Sequence, residues 1–166
     1  MALISSRPEA AGAITVMMGQ WAVASAPGIL RTLLGSCAGV VLYDRQARLG
    51  GIAHIVLPDS RGDSSLPGKY ADNAIPALIT DLEKLAARRL RGWLTAKLFG
   101  CANMFQTNGP LEIGRLNREA VERILAECNV PIIATDIGGE AGRRLTFDLQ
   151  TGIVAVKVPG GAEYEI

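Results

Sequence analysis

Two apolar runs around one short polar break constrain this chain most. Cys37-Ala38-Gly39-Val40-Val41-Leu42-Tyr43 and Leu49-Gly50-Gly51-Ile52-Ala53-His54-Ile55-Val56-Leu57 flank the segment Asp44 to Arg48. That is a hairpin signature. Both strands are apolar throughout rather than alternating, which predicts burial on both faces. If the turn centres on Arg45-Gln46, Cys37 and His54 are cross-strand neighbours within side-chain reach. A turn two residues longer moves the pairing to Val56. His54 is the only histidine of the chain, and a thiol facing an imidazole is the minimal unit of cysteine nucleophile catalysis.

Around this hairpin the chain reads as strands in hairpins, with two helical segments and no regular strand–helix alternation. Ile14 to Met18 and Trp21 to Ser25 read as strands broken at Gly19-Gln20, and Ile29 to Leu34 as another after the Ala26-Pro27-Gly28 turn. Pro58 to Gly68 is a loop. Residues 70–91 carry Ile75, Leu78, Ile79, Leu82, Leu85 and Ala86 at helical spacing, with Asp72-Asn73 placed to cap the helix. Trp93 to Phe99 reads as a strand, and Gly100 to Gly114 as a loop. Asn117 to Cys128 forms a second helix, with Ala120, Val121, Ile124, Leu125 and Cys128 on one stripe. Val130 to Thr135, Leu145 to Leu149 and Ile153 to Val158 are the last strands. About nine strands in hairpins with two long helices favour an α+β fold, with packed sheets and helices covering a face. Residues 1–12 read as a loose N-terminal tail, and 13–166 as a single domain.

The bulk properties narrow the function classes. The chain of 166 residues is long enough for a substantial core, and 49% apolar against 20% charged residues argues against disorder. A net charge of +1 argues against nucleic acid or an anionic membrane as the main partner. Arg88, Arg89 and Arg91 read as a solvated helix end. Three cysteines, Cys37, Cys101 and Cys128, lack a metal-binding spacing, and one histidine makes a zinc site hard to assemble. Reduced thiols fit a cytoplasmic protein. A secretory leader is imitated by Arg7 followed by the small apolar stretch Ala10 to Ala26, but Pro8, Glu9 and the Gly19-Gln20 break speak against it. No apolar run is long enough to span a membrane.

Each chemistry-bearing residue also has a structural reading. A free cysteine is often a buried thiol, and a histidine in an apolar strand is often a satisfied core residue. Gly35 and Gly39 around Cys37 allow close approach of a substrate, and the main-chain N–H groups near Cys37, at Gly35 and Ser36, suit an oxyanion hole. His54 would take the Cys37 proton and deliver a proton to a leaving group. An adjacent imidazolium would lower the Cys37 pKa. Cys101 and Cys128 read as structural, and Gly138, Gly139 and Gly142 as a turn.

The runs Leu34-Gly35-Ser36-Cys37 and Gly50-Gly51-Ile52-Ala53-His54-Ile55-Val56-Leu57-Pro58 resemble the CheD family, the chemoreceptor glutamine deamidases of bacterial and archaeal chemotaxis. Lys69 to Ile75, Ala96 to Phe105 and Asp136 to Arg144 resemble family segments too, so the likeness runs from about Val16 to about Val158. The resemblance implies a β-sandwich of mixed sheets with two long flanking helices, a cysteine-hydrolase fold similar to the catalytic domains of cytotoxic necrotizing factor toxins. It implies that Cys37 attacks a receptor glutamine amide with His54 as base, and that no metal or organic cofactor is used. It also implies two partners, methyl-accepting chemotaxis receptors and a CheC-type phosphatase, the latter docking on the Asn103-Met104-Phe105 loop. The family's threonine sits six residues before the cysteine, where this chain has Arg31. Thr32 is one residue nearer, and a one-residue shift in a strand turns a side chain to the other face. A bulge at Leu33-Leu34 would restore Thr32 as the residue that orients His54. Asp59 or a backbone carbonyl are the alternatives. Two other functions remain open: a binding module that regulates the phosphatase, and another cysteine hydrolase such as a transglutaminase or protease.

Overall fold

A computed structural model describes residues 12–104 and 112–166. The predicted tail, Gly12 excepted, and Phe105 lie outside the described residues. Among the described residues, ten strands form two five-stranded sheets. The first sheet contains β1 (Ile14–Thr15), β3 (Ile29–Leu34), β8 (Arg143–Asp148), β9 (Val154–Lys157) and β10 (Glu163–Glu165), in that order. The second has the order β2 (Trp21–Ser25), β5 (Leu49–Ile55), β4 (Ala38–Asp44), β6 (Leu94–Gly100), β7 (Ile132–Ile137). Each sheet is mixed: β1 runs parallel to β3 and β7 parallel to β6, while the remaining pairs are antiparallel.

The apolar hairpin becomes β4 and β5, buried at every position. It lies inside the second sheet, and each face meets a different layer. Val41, Tyr43, Ile52 and Phe99 pack against Leu30, Leu34, Leu145 and Phe147 of the first sheet. On the other face Val40, Leu42, Ala53 and Ile55 meet helices α1 (Ala71–Ala86) and α2 (Ile113–Glu127). Burial on both sides removes the need for alternation, which is why these strands read as continuous apolar runs. Strand β3 covers the sandwich from outside and does alternate: Leu30, Thr32 and Leu34 point inward, while Ile29, Arg31 and Leu33 are exposed. Among the described residues, no helix is long and apolar enough to cross a membrane.

Several expectations shift. α1 ends at Ala86 because Ala87 adopts a left-handed conformation, φ 54°. The chain then turns so that Leu90 is buried and its N–H reaches the Glu83 carboxylate at 3.0 Å. Arg88 is more than a solvated helix end, since it pairs with the buried Asp44 carboxylate at 2.5 Å. Asp72 does not cap α1. Its carboxylate accepts the Ser60 N–H and hydroxyl at 3.0 and 2.7 Å and so fastens the loop after β5. α2 starts one turn earlier than predicted, which places Asn117 inside it.

Candidate active site

The β4–β5 register differs from the expected one. The turn spans four residues, Arg45 to Arg48, because the Asp44 side chain accepts the N–H groups of Gln46 and Ala47 at 2.9 and 3.1 Å and Arg48 closes the turn with φ 51°. Gly39, and not Cys37, therefore stands opposite His54. Cys37 lies at the mouth of the hairpin, two residues before Gly39 and diagonally across from His54. Cys37 sits in the bend before β4, just outside the ladder, and no hydrogen bond joins its Sγ to His54 in this structure. Gly39 helps to make the space: a methyl group there would overlap Leu34. The Cys37 side chain packs against the inter-sheet core, on the same side of the sheet that His54 uses to reach β3.

Thr32 makes that connection. Its hydroxyl oxygen lies 2.8 Å from His54 Nδ1 and 2.8 Å from the Val16 carbonyl oxygen. A carbonyl only accepts, so the hydroxyl proton goes to Val16 and the Thr32 oxygen accepts the Nδ1–H of His54. The Nε2 nitrogen then carries the lone pair that a base requires. No bulge is needed, because β3 pairs with β8 without interruption from Ile29 to Leu34. Arg31 points outward. Asp59 is exposed and its carboxylate caps the Arg61 N–H at 2.8 Å. The main chain of His54 is fixed as well, with its N–H donating to Gln20 O and its carbonyl accepting from Gly19 N, both at 2.9 Å.

The turn carrying Cys37 is tied down by its carbonyls. Gly35 O accepts from Ala102 N at 3.0 Å, and Cys37 O from Cys101 N at 2.9 Å. The end of β6 reaches these oxygens because Gly100 and Cys101 take φ values of 86° and 55°, and a Cβ at Gly100 would strike the Cys37 carbonyl. Ser36 O accepts from Asn117 Nδ2 at 3.4 Å. Beside Ser36 a cleft of about 280 Å³ opens toward Met104 and the start of α2. Cys37 does not line this cleft.

Burial sets the charge state. It pushes the Cys37 thiol up and the His54 imidazole down from its ordinary 6.5. Burial thus favours a neutral thiol and a neutral imidazole over a thiolate and an imidazolium. Cys101, buried and pushed up to about 12 by the same desolvation, is inert by comparison. Among the described residues, no group of three His, Cys, Asp or Glu side chains is placed to hold a metal ion.

A family model described as CheD chemotactic sensory transduction matches residues 56–158. The chain belongs to the CheD family. A Methanococcus maripaludis relative named probable chemoreceptor glutamine deamidase CheD is 43% identical over 146 residues, which cover 87% of this chain and 94% of that protein. The Thermotoga maritima chemoreceptor glutamine deamidase CheD is 42% identical over 151 residues, 90% of this chain and 94% of the relative. A solved structure, the Bacillus licheniformis hypothetical protein YfiH, is similar with a TM-score of 0.47 and 15% identity over 70% of this chain and 49% of that one. The family match begins after Cys37 and His54.

Sequence reasoning missed Asn117, which is fully buried in the middle of an otherwise apolar helix face. Its signal was available: Asn117 stands three residues before Ala120 and four before Val121, on the same stripe.

Proposed function

We propose that this chain is a cysteine-dependent protein-glutamine deamidase that acts on chemoreceptors. The observation that carries the reading is the Val16–Thr32–His54 hydrogen-bond chain, which leaves His54 Nε2 free on the side of the sheet where Cys37 packs. The relatives' names supply the substrate. In this mechanism Nε2 takes the thiol proton as Sγ attacks the side-chain amide carbon. The tetrahedral oxyanion collapses, ammonia leaves with the proton from His54, and a thioester remains. Water, deprotonated by the same nitrogen, releases glutamate and the free thiol. The chain's own residues supply every proton transfer. The sandwich with its cysteine at the β3–β4 turn supports grouping it with cysteine hydrolases of the cytotoxic necrotizing factor kind. Half-exposed Met104, beside the Cys37 turn, is the described residue best suited to contact a CheC-type partner. The test is ammonia release from a receptor cytoplasmic fragment. Cleavage or crosslinking of the fragment in place of ammonia release would point to a protease or transglutaminase instead.

Two results follow from the geometry. Replacing Thr32 with Val keeps the shape and removes the hydroxyl, so kcat should fall about 10-fold, the equivalent of one orienting hydrogen bond of about 1.4 kcal/mol. An unchanged kcat would show that Thr32 does not set the ring. The pH profile is the second. A lowered His54 pKa keeps the base neutral further into acid, so the acidic limb of kcat/KM should have its midpoint below 6.5. A midpoint at or above that value would contradict the neutral pair.

A further inference from the structure

The buried Asn117 amide has no counterpart in the mechanism so far. Its Nδ2 donates to two carbonyls, Val56 O at 3.0 Å and Ser36 O at 3.4 Å. One belongs to the residue before the nucleophile, the other to the segment just after His54. Both partners only accept, so the amide orientation is fixed: the oxygen cannot occupy the nitrogen's place. That oxygen, Oδ1, is buried without a partner among the described residues. An unpaired buried acceptor is destabilising, and a leucine would fill the same helix face without it. The asparagine is thus poorly explained by packing.

Its position explains it better. Asn117 lies on α2, on the helix side of the second sheet, whereas Cys37 packs on the inter-sheet side that His54 uses to reach Thr32. In a trans peptide the carbonyl of one residue and the N–H of the next point in opposite directions. Among the described residues the only cis peptide is Ala26-Pro27, so the Ser36–Cys37 bond is trans. Drawing the Ser36 carbonyl toward α2 turns the Cys37 N–H to the face that carries the thiol and the imidazole. The bond from Ala102 N to Gly35 O at 3.0 Å holds the preceding peptide as well.

We propose that Asn117 is a positioning residue that sets the Ser36–Cys37 peptide plane, so that the Cys37 main-chain N–H donates to the oxyanion formed on the substrate amide. This rests on the deamidase reading. When the tetrahedral intermediate forms, the amide C=O π bond breaks, its electron pair moves to oxygen, and the Cys37 N–H hydrogen-bonds to that charge.

Two reactions of the same thiol separate this role from a general structural one. Deamidation passes through an oxyanion, whereas alkylation of Cys37 by iodoacetamide is a displacement at carbon and needs no oxyanion hole. Asn117→Leu, and Asn117→Ser as a smaller variant that admits water, are compared with the parent protein. We expect kcat for ammonia release from a receptor fragment to fall about 10- to 100-fold. KM should stay within about threefold, and the alkylation rate within about twofold, because neither depends on oxyanion stabilisation. The proposal is overturned if a folded variant keeps kcat within about threefold of the parent. It is also overturned if alkylation slows as much as deamidation, which would make Asn117 a holder of the thiol, or if neither variant folds, which would make it a stability residue. A parent protein that releases no ammonia would instead refute the deamidase reading itself.

Discussion

Cys37→Ala is expected to abolish deamidation and leave the fold in place. The thiol is half-buried at the edge of the inter-sheet core, and the bonds that hold its turn run to backbone carbonyls rather than to its sulfur. Removing the nucleophile should lower kcat by at least ~10³-fold. The melting temperature should move little, because only one half-buried sulfur atom is lost. Ammonia release measured beside a thermal melt checks both halves. Residual turnover above a few per cent of the parent would exclude the covalent route, while a collapsed melt would mean that Cys37 is a core residue.

His54→Ala should cost about 10²–10⁴-fold in kcat, the usual worth of general acid–base help. The chain has no other histidine to replace it. The substitution also strips Thr32 of its partner, so His54→Gln, which keeps a polar group toward Thr32, is the better control for stability. Activity at half the parent level in either variant would require another base.

The sequence exposed the parts of this fold whose pattern repeats. β4 and β5 are legible because burial on both faces leaves only apolar choices, and α1 because its stripe recurs over four turns. The register between β4 and β5 was not legible. It depends on the Asp44 carboxylate accepting two turn N–H groups and on a left-handed Arg48, neither of which has a dipeptide signature. Counting back from Cys37 sends Thr32 to the wrong face, because the Gly35-Ser36-Cys37 bend interrupts the strand alternation. Counting within β3 alone groups Thr32 with Leu30 and Leu34, the inward set, and sends Arg31 outward. β10, Glu-Tyr-Glu and exposed throughout, has no apolar signal at all and is recruited by pairing with β9. The end of α1 was hidden because Ala87 takes a left-handed conformation usually given to glycine.

The central claim, that Cys37 converts receptor glutamine to glutamate, meets its most direct test in one mass-spectrometric comparison. A receptor cytoplasmic fragment is incubated with the parent protein or with Cys37→Ala, digested, and mapped for Gln-to-Glu conversion. The account predicts conversion at a small set of glutamines with the parent and none above the spontaneous background with the variant. Conversion to the same extent with both, or none with the parent, would contradict it.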